Sequence, residues 1–251
     1  AQMLLDGSPA KVLTGMRGKS LETWIFNACA PASAIDALET LADRLELDPP
    51  DIVLQAQAVY AAWRESLGPD GLGIDIGGRH TTLSLWRAGM LCGMMSIPLG
   101  GRDVTLCLGR ACQADEERAE KLKLRYAHGQ FDADQRAWTS NALQPALERW
   151  FEAAGAALCS LSCGEPLPPA IWIWGGGAGL RDAMAAARAL SQCGRLEFYD
   201  RPVVRVLDEC ESACIENRSG SSMGVMGCNV QALPFGAPAR VGLLSQDTLG
   251  S

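Results

Sequence analysis

Asp75-Ile76-Gly77-Gly78 stands between two apolar runs in the stretch GLGIDIGGRHTTLSLW, Gly71 to Trp86. A carboxylate, two glycines and then two threonines have the makings of a phosphate cradle. Glycine lets an anion approach backbone N–H groups closely, and concave arrays of such groups hold phosphates. Thr81 or Thr82 can add a hydroxyl donor. Asp75 would repel a phosphate directly, so it fits only with a cation between them. Mg²⁺ suits that place, because it binds through one or two carboxylates plus water and phosphate oxygens. The same residues also suit an ordinary hairpin turn.

A second glycine turn lies in WIWGGGAGLRDA, where an apolar run is followed by Gly175, Gly176 and Gly177 and then a helical pattern. Three glycines at a helix N-terminus let a flat ring or a phosphate lie against the backbone. Neither turn carries G-K-[ST] or G-x-G-x-x-G, so the two common nucleotide fingerprints are absent.

The elements that must position these turns are legible from periodicity. LETWIFNACA (21–30) reads as a strand, and Ile35, Leu38, Leu41, Ala42 and Leu45 form one face of a helix that ends at Asp48-Pro49-Pro50. A second helix is expected from Ile52 to about Glu65, then the strand–turn–strand of the Asp75 stretch, a strand over 91–97 and a Gly100-Gly101 turn. Helices are expected over 104–110, 114–126 and 142–161, and a strand, glycine turn and helix over 170–190. Residues 208–233 read as loops. Strands alternating with helices predict an α/β architecture with a mixed sheet.

Bulk properties narrow the function. The net charge of −7 over 251 residues argues against a sequence-independent grip on nucleic acid or anionic lipid. No apolar run approaches the roughly 18 residues of a membrane-spanning helix, and AQMLLDGSPAK lacks the layout of a signal peptide. Ten cysteines include the C-x-x-x-C pairs Cys159/Cys163 and Cys210/Cys214, which could hold a metal or pack as small hydrophobes. Nothing among them requires an oxidising compartment, so the cytoplasm is the expected location.

In order along the chain, DGSPAKVLTGMRGKSLETWIFNACAP, IDIGGRHTTLSLW, IPLGGRDVTLCLG, ERAEKLKLRYAHG, IWIWGGGAGL and PFGAPARVGLL together resemble the actin/Hsp70-type ATPases. The likeness is strongest to the bacterial FtsA group, with the pilus-assembly protein PilM as a relative. The resemblance implies an actin-like ATPase (ribonuclease H-like) fold whose first lobe is incomplete. Residues 1–70 would be a remnant of that lobe, and 71–251 the second lobe with a reduced insertion around 111–141. It implies ATP or ADP with Mg as cofactor. Asp75 would order the metal through water, Gly77, Gly78 and Thr81 would sit by the β- and γ-phosphates, Glu120 and Lys123 would reach the ribose and adenine, and Gly175, Gly176 and Gly177 would flank the adenosine. Gln55, with Gln57 as second choice, would orient the attacking water. A glutamine is no strong base, so turnover would be slow at most. By spacing alone the two glutamines are also polar positions of an amphipathic helix, and Glu120 and Lys123 an ion pair on a solvated face.

Three departures from the family shape the expected role. The family's first phosphate motif is not matched upstream of these segments, although Met3 to Ser8 superficially echoes it. The stretch AHGQFDADQRAWTSN is short where FtsA carries the strands that meet the division tubulin FtsZ. No basic amphipathic segment closes the sequence. The expected function is therefore an adenine-nucleotide-binding assembly protein of the FtsA (cell division) or PilM (pilus assembly) type. In it ATP acts as a clamp, and the partners are copies of itself or a division or pilus component. It would have no membrane segment of its own and would be recruited to the inner membrane face by partners. The alternative is a non-catalytic actin-like scaffold that has lost nucleotide binding.

Overall fold

The computed structural model describes residues 2–10, 12–25, 27, 29–49 and 52–207. It begins with a small antiparallel sheet of β1 (Gln2–Leu5), β2 (Ser8–Pro9) and β3 (Leu21–Trp24), in the order β2-β1-β3. Asp6 and Gly7 supply the two positive-φ residues of the first turn, the Asp-Gly chemistry that a tight hairpin needs. The Asp6 carboxylate accepts the Lys19 and Ser20 N–H groups, both at 2.8 Å, and these bonds hold its pKa below the usual carboxylate value. The echo of a phosphate motif at Met3 to Ser8 is thus a turn closed on the chain's own amides.

Next comes α1 (Ala32–Arg44), on which only Ala42 is buried. Leu38, Leu41, Leu45 and Leu47 stay exposed among the described residues. Then α2 (Gln55–Leu67) leads into a five-stranded mixed sheet, in the order β6-β5-β4-β7-β8. Its strands are β4 (Gly71–Ile76), β5 (Thr81–Arg87), β6 (Met90–Ile97), β7 (Ala170–Trp174) and β8 (Val203–Val206). β4, β5 and β6 pair antiparallel, whereas β4–β7 and β7–β8 pair parallel. Between β6 and β7 run α3 (Gly101–Cys112), α4 (Glu116–Ala127) and α5 (Ala133–Ser162), and α6 (Arg181–Leu190) follows β7.

The central strand β4 is buried along its whole length, as expected for a strand covered on both faces. Leu72 and Ile74, with Ile171 and Ile173 of β7, face α3, α5 and α6 in the larger core. On the other face Trp172 and Trp174 join Trp86 and the apolar side of α2, which contributes Ala56, Val59, Ala62 and Trp63. Tyr60 stacks on Trp86 with ring centroids 4.1 Å apart. The two glycines that open GLGIDIGG are explained here. A Cβ on Gly71 would run into the Trp172 ring, and one on Gly73 into Trp174. The residue-70 boundary expected from sequence falls between α2 and β4, and α2 packs on the sheet that follows it.

β1 and β2 were not foreseen, β3 spans Leu21–Trp24 where a strand over 21–30 was expected, and two further elements differ from expectation. The long helix starts at Ala133 and not near Ala142, because Asp132 caps it. The Asp132 carboxylate accepts Gln135 N–H at 2.8 Å and the Gln135 side chain accepts Asp132 N–H at 3.2 Å, a reciprocal capping box. β8, unforeseen, adds a short half-exposed edge strand beside β7. No helix among the described residues is long and apolar enough to cross a membrane. The expected loops over 208–233, the PFGAPARVGLL segment and the Cys210/Cys214 pair lie outside the described residues. Among those described, no cluster of three or more metal-ligating side chains exists.

Candidate functional site

β4 and β7 run parallel, so their C-terminal ends deliver the two glycine turns to one edge of the sheet. Crevices beyond the carboxyl ends of parallel strands are the usual ligand sites of α/β sheets. Asp75, near the end of β4, pairs in register with Trp174, the residue before Gly175. Its carboxylate is buried and lies where a side chain on Gly175 would have to go. Gly175 also has φ +90°, which favours glycine. Gly177 packs on Ile76, into whose side chain a Cβ would collide. Asp75, Gly175 and Gly177 are thus brought together by backbone contact that side chains would block. Gly176, between them, is exposed.

The hairpin tip closes by a bond from Gly77 N–H to His80 O at 3.0 Å. It docks on the start of α3, where Gly101 N–H donates to Gly77 O at 2.9 Å and Arg102 N–H to Gly78 O at 2.7 Å. A Cβ on Gly100 would stand 2.5 Å from Gly77 O. The Gly100-Gly101 turn expected from sequence is therefore the socket for the Asp-Ile-Gly-Gly hairpin. Its cost to ligand chemistry is plain: the first amides of α3 serve the hairpin carbonyls, leaving the exposed tip of Gly78, Arg79 and His80 as the face open to an anion. Arg79 was not singled out by sequence, although a guanidinium at a hairpin tip is a natural phosphate partner.

Thr81 takes a structural place. It is fully buried, donating its hydroxyl hydrogen to Leu99 O at 2.8 Å and accepting Trp150 Nε1–H at 2.9 Å. The hydroxyl expected beside a phosphate instead staples β5 to α5 and to the approach to α3.

Glu120 and Lys123 lie against α3. Lys123 is buried, and its Nζ donates to Glu120 Oε2 at 2.7 Å, Thr105 Oγ1 at 2.9 Å and Gly101 O at 3.1 Å. Thr105 Oγ1 in turn donates to Glu120 Oε2. The ammonium therefore sits directly behind the turn that seats the hairpin, while the Glu120 side chain is 42% exposed. Thr105 was missed; an apolar-looking helix, DVTLCLG, hides one polar position whose role depends on what α4 brings to it. Beside this network, Arg102 pairs with Glu116 at 2.6 Å, which lowers the Glu116 pKa. Gln55 and Gln57 are exposed in the first turn of α2, on the sheet face to which Asp75 also belongs by strand alternation.

Behind Gly177 and the Gly100-Gly101 socket, bounded by Ile76, Val104, Trp150 and Leu180, lies a cavity of about 20 Å³, room for one water. A nucleotide does not fit inside it. The features present suit a nucleotide with a hydrated cation: glycines whose missing side chains leave backbone close to the surface, and one carboxylate, enough for Mg²⁺ that keeps most of its waters.

Residues 72–149 match the family model described as Cell division protein FtsA. No curated protein matches the sequence. Among solved structures, the PilM-PilN type IV pilus biogenesis complex superposes with a TM-score of 0.60 at 21% identity, over 79% of this chain and 58% of that one. MreB5 of Spiroplasma citri bound to ADP gives 0.53 at 14% identity, over 79% and 63%. The same protein bound to AMPPNP gives 0.53 at 15%, over 79% and 62%. The likeness is one of fold, and the chain spans 58% to 63% of the length of these neighbours.

Proposed function

We propose that the chain, which matches the FtsA model over residues 72–149 and shares the fold of PilM and MreB5, is an adenine-nucleotide-binding assembly protein of the FtsA/PilM-like actin-like ATPases. The observation that carries this reading is the convergence of two glycine turns on Asp75 at one sheet edge. In the proposal Asp75 holds Mg²⁺ through water and the Gly77-Gly78 tip faces the phosphates. Gly175 to Gly177 and the Glu120–Lys123 side of α4 border the adenosine, and Gln55 orients water for a slow hydrolysis at most. Residues 71–251 act as the nucleotide-side lobe and 1–70 as part of the first. Bound nucleotide biases closure and association and does not drive fast chemistry. The MreB5 neighbours carry ADP or AMPPNP, and the PilM neighbour is a complex with PilN. These support a nucleotide and a protein partner, either a second copy or a division or pilus component at the inner membrane face.

Titration calorimetry of Mg-ATP against the chain and against Asp75→Ala tests the reading. Saturable, Mg-dependent binding is expected in the first and its loss in the second, with circular dichroism showing both folded. No binding by the unaltered chain, or equal affinity in the variant, refutes it. The second reading, a scaffold without nucleotide, has its own support in the Thr81 hydroxyl and the α3 amides being committed within the protein. The same titration decides between the two.

A further inference from the structure

If adenosine lies between α4 and the glycine turn after β7, something must fix the width of that gap. Apolar packing sets how deeply α6 sits, through Ala183, Met184, Ala187 and Leu190, but such contacts are non-directional. Directional restraint comes from Asp182, in the first turn of α6, immediately beyond the Gly176–Gly179 turn and Leu180. Its Oδ2 accepts Tyr126 O–H at 2.5 Å and its Oδ1 accepts Ser140 O–H at 2.5 Å. Tyr126 belongs to α4 and Ser140 to α5, so one carboxylate ties three helices. Tyr126 also lies three residues beyond Lys123, on the adjoining turn of the same helix face. Hydrogen bonds to an ionised acceptor are short and strong. Burial and the neighbouring carboxylate push the Tyr126 pKa up to about 12, so the phenol remains a donor throughout the physiological range.

The turn joins α6 through one extended residue, Leu180, which caps both. Ala178 N–H donates to Gly175 O at 3.0 Å, Leu180 N–H to Gly177 O at 3.1 Å and Met184 N–H to Leu180 O at 3.0 Å. Through the two bonds at Leu180 a shift of Asp182 is passed to the glycine turn. One turn before Tyr126, α4 is held to α3 by the Lys123–Thr105–Gly101 bonds. With α4 fixed there, the Tyr126–Asp182 bond sets where the turn stands relative to Glu120 and Lys123.

We propose that Asp182 is a positioning residue whose bond to Tyr126 fixes the gap between α4 and the Gly176–Gly179 turn. It thereby sets the preference for an adenosine-bearing ligand over a bare polyphosphate. This rests on the nucleotide reading above and adds to it the residue pair that governs the base side of the site. The bond to Ser140 ties α6 to α5, away from that gap, and serves stability alone.

The experiment titrates Mg-ATP and Mg-tripolyphosphate against the full chain, Tyr126→Phe and Ser140→Ala, and follows amide hydrogen exchange in all three. Tyr126→Phe should weaken ATP by about tenfold, the size expected for one lost hydrogen bond to a charged group, and leave tripolyphosphate unchanged. Ser140→Ala should lower the melting temperature without altering the ratio of the two affinities. Parallel loss of both ligands in Tyr126→Phe, no loss of either, or the same selective loss in Ser140→Ala overturns the assignment. If the unaltered chain binds neither ligand, the nucleotide reading fails and the ligand preference with it. The tie is then judged by exchange at Ala178 and Leu180. Faster exchange by about tenfold in Tyr126→Phe alone upholds it, as expected for one lost charge-assisted bond, and equal exchange overturns it.

Discussion

Gly175→Ala puts the central contact of the site under direct strain. The residue stands at φ +90°, ψ 166°, a region that essentially only glycine occupies and that costs other residues about 1–3 kcal/mol. The added Cβ would collide with Asp75 Oδ1 and stand 2.7 Å from Ile76 O. The second neighbour is backbone in the central strand and cannot swing aside as a side-chain tip would. Forcing a methyl into packed surroundings costs about 1–3 kcal/mol more, so the substitution should destabilise the fold by about 2–6 kcal/mol. At this chain length that lowers the melting temperature by about 4–24 °C. Urea unfolding followed by tryptophan fluorescence is the assay, since Trp63, Trp172 and Trp174 are buried beside the strands concerned. Gly179→Ala is the control. A Cβ there meets nothing within 4 Å, and its effect should stay within about 1 kcal/mol. If Gly175→Ala unfolds at the same urea concentration as Gly179→Ala, the close approach of Asp75 to the glycine turn is wrong, and the geometry of the site with it.

Two further substitutions separate structural from ligand roles. Thr81→Val leaves Trp150 Nε1 and Leu99 O without their partner and should cost about 1–3 kcal/mol in urea unfolding, whereas Thr81→Ser retains the hydroxyl and should lose far less; equal effects would refute the staple. Gly78→Ala adds a methyl where nothing lies within 4 Å, so stability should hold within about 0.5 kcal/mol while Mg-ATP affinity falls; unchanged affinity in calorimetry would show that no ligand presses on the hairpin tip.

What the sequence disclosed follows from which forces act locally. The β4–β5 hairpin and the strand–turn–helix after it were legible because burial on both faces leaves long apolar runs and glycine marks the turns. The start of α5 was legible in principle, since Asp132 and Gln135 stand at capping-box spacing, but the polar run QRAWTSN masks the apolar periodicity on which helix recognition leans. β8 gave no such signal. Four half-exposed residues, VVRV, become a strand only because β7 offers an edge to pair with. Side-chain roles were least legible. That Thr81 points inward, or that Lys123 serves Gly101 and Thr105, depends on the approach of α3 and α5 from elsewhere in the chain.

The glycines show why a motif and a function are different claims. Gly71 and Gly73 make room for two indoles, Gly100 for the carbonyl of Gly77, and Gly175 and Gly177 for Asp75 and Ile76. Each would be required by this fold whether or not a nucleotide ever bound, because a methyl at any of them strikes protein. A family pattern written in those positions therefore certifies the architecture, which is what the FtsA match and the actin-like neighbours also certify. Gly78 is different. It is exposed, a Cβ on it would meet no atom within 4 Å, and its φ lies outside the left-handed range. Packing gives no reason for glycine there, whereas a phosphate drawn onto the hairpin backbone would. The case that this edge still handles a ligand thus rests less on the abundance of glycine than on the one position of the hairpin where the fold could do without it.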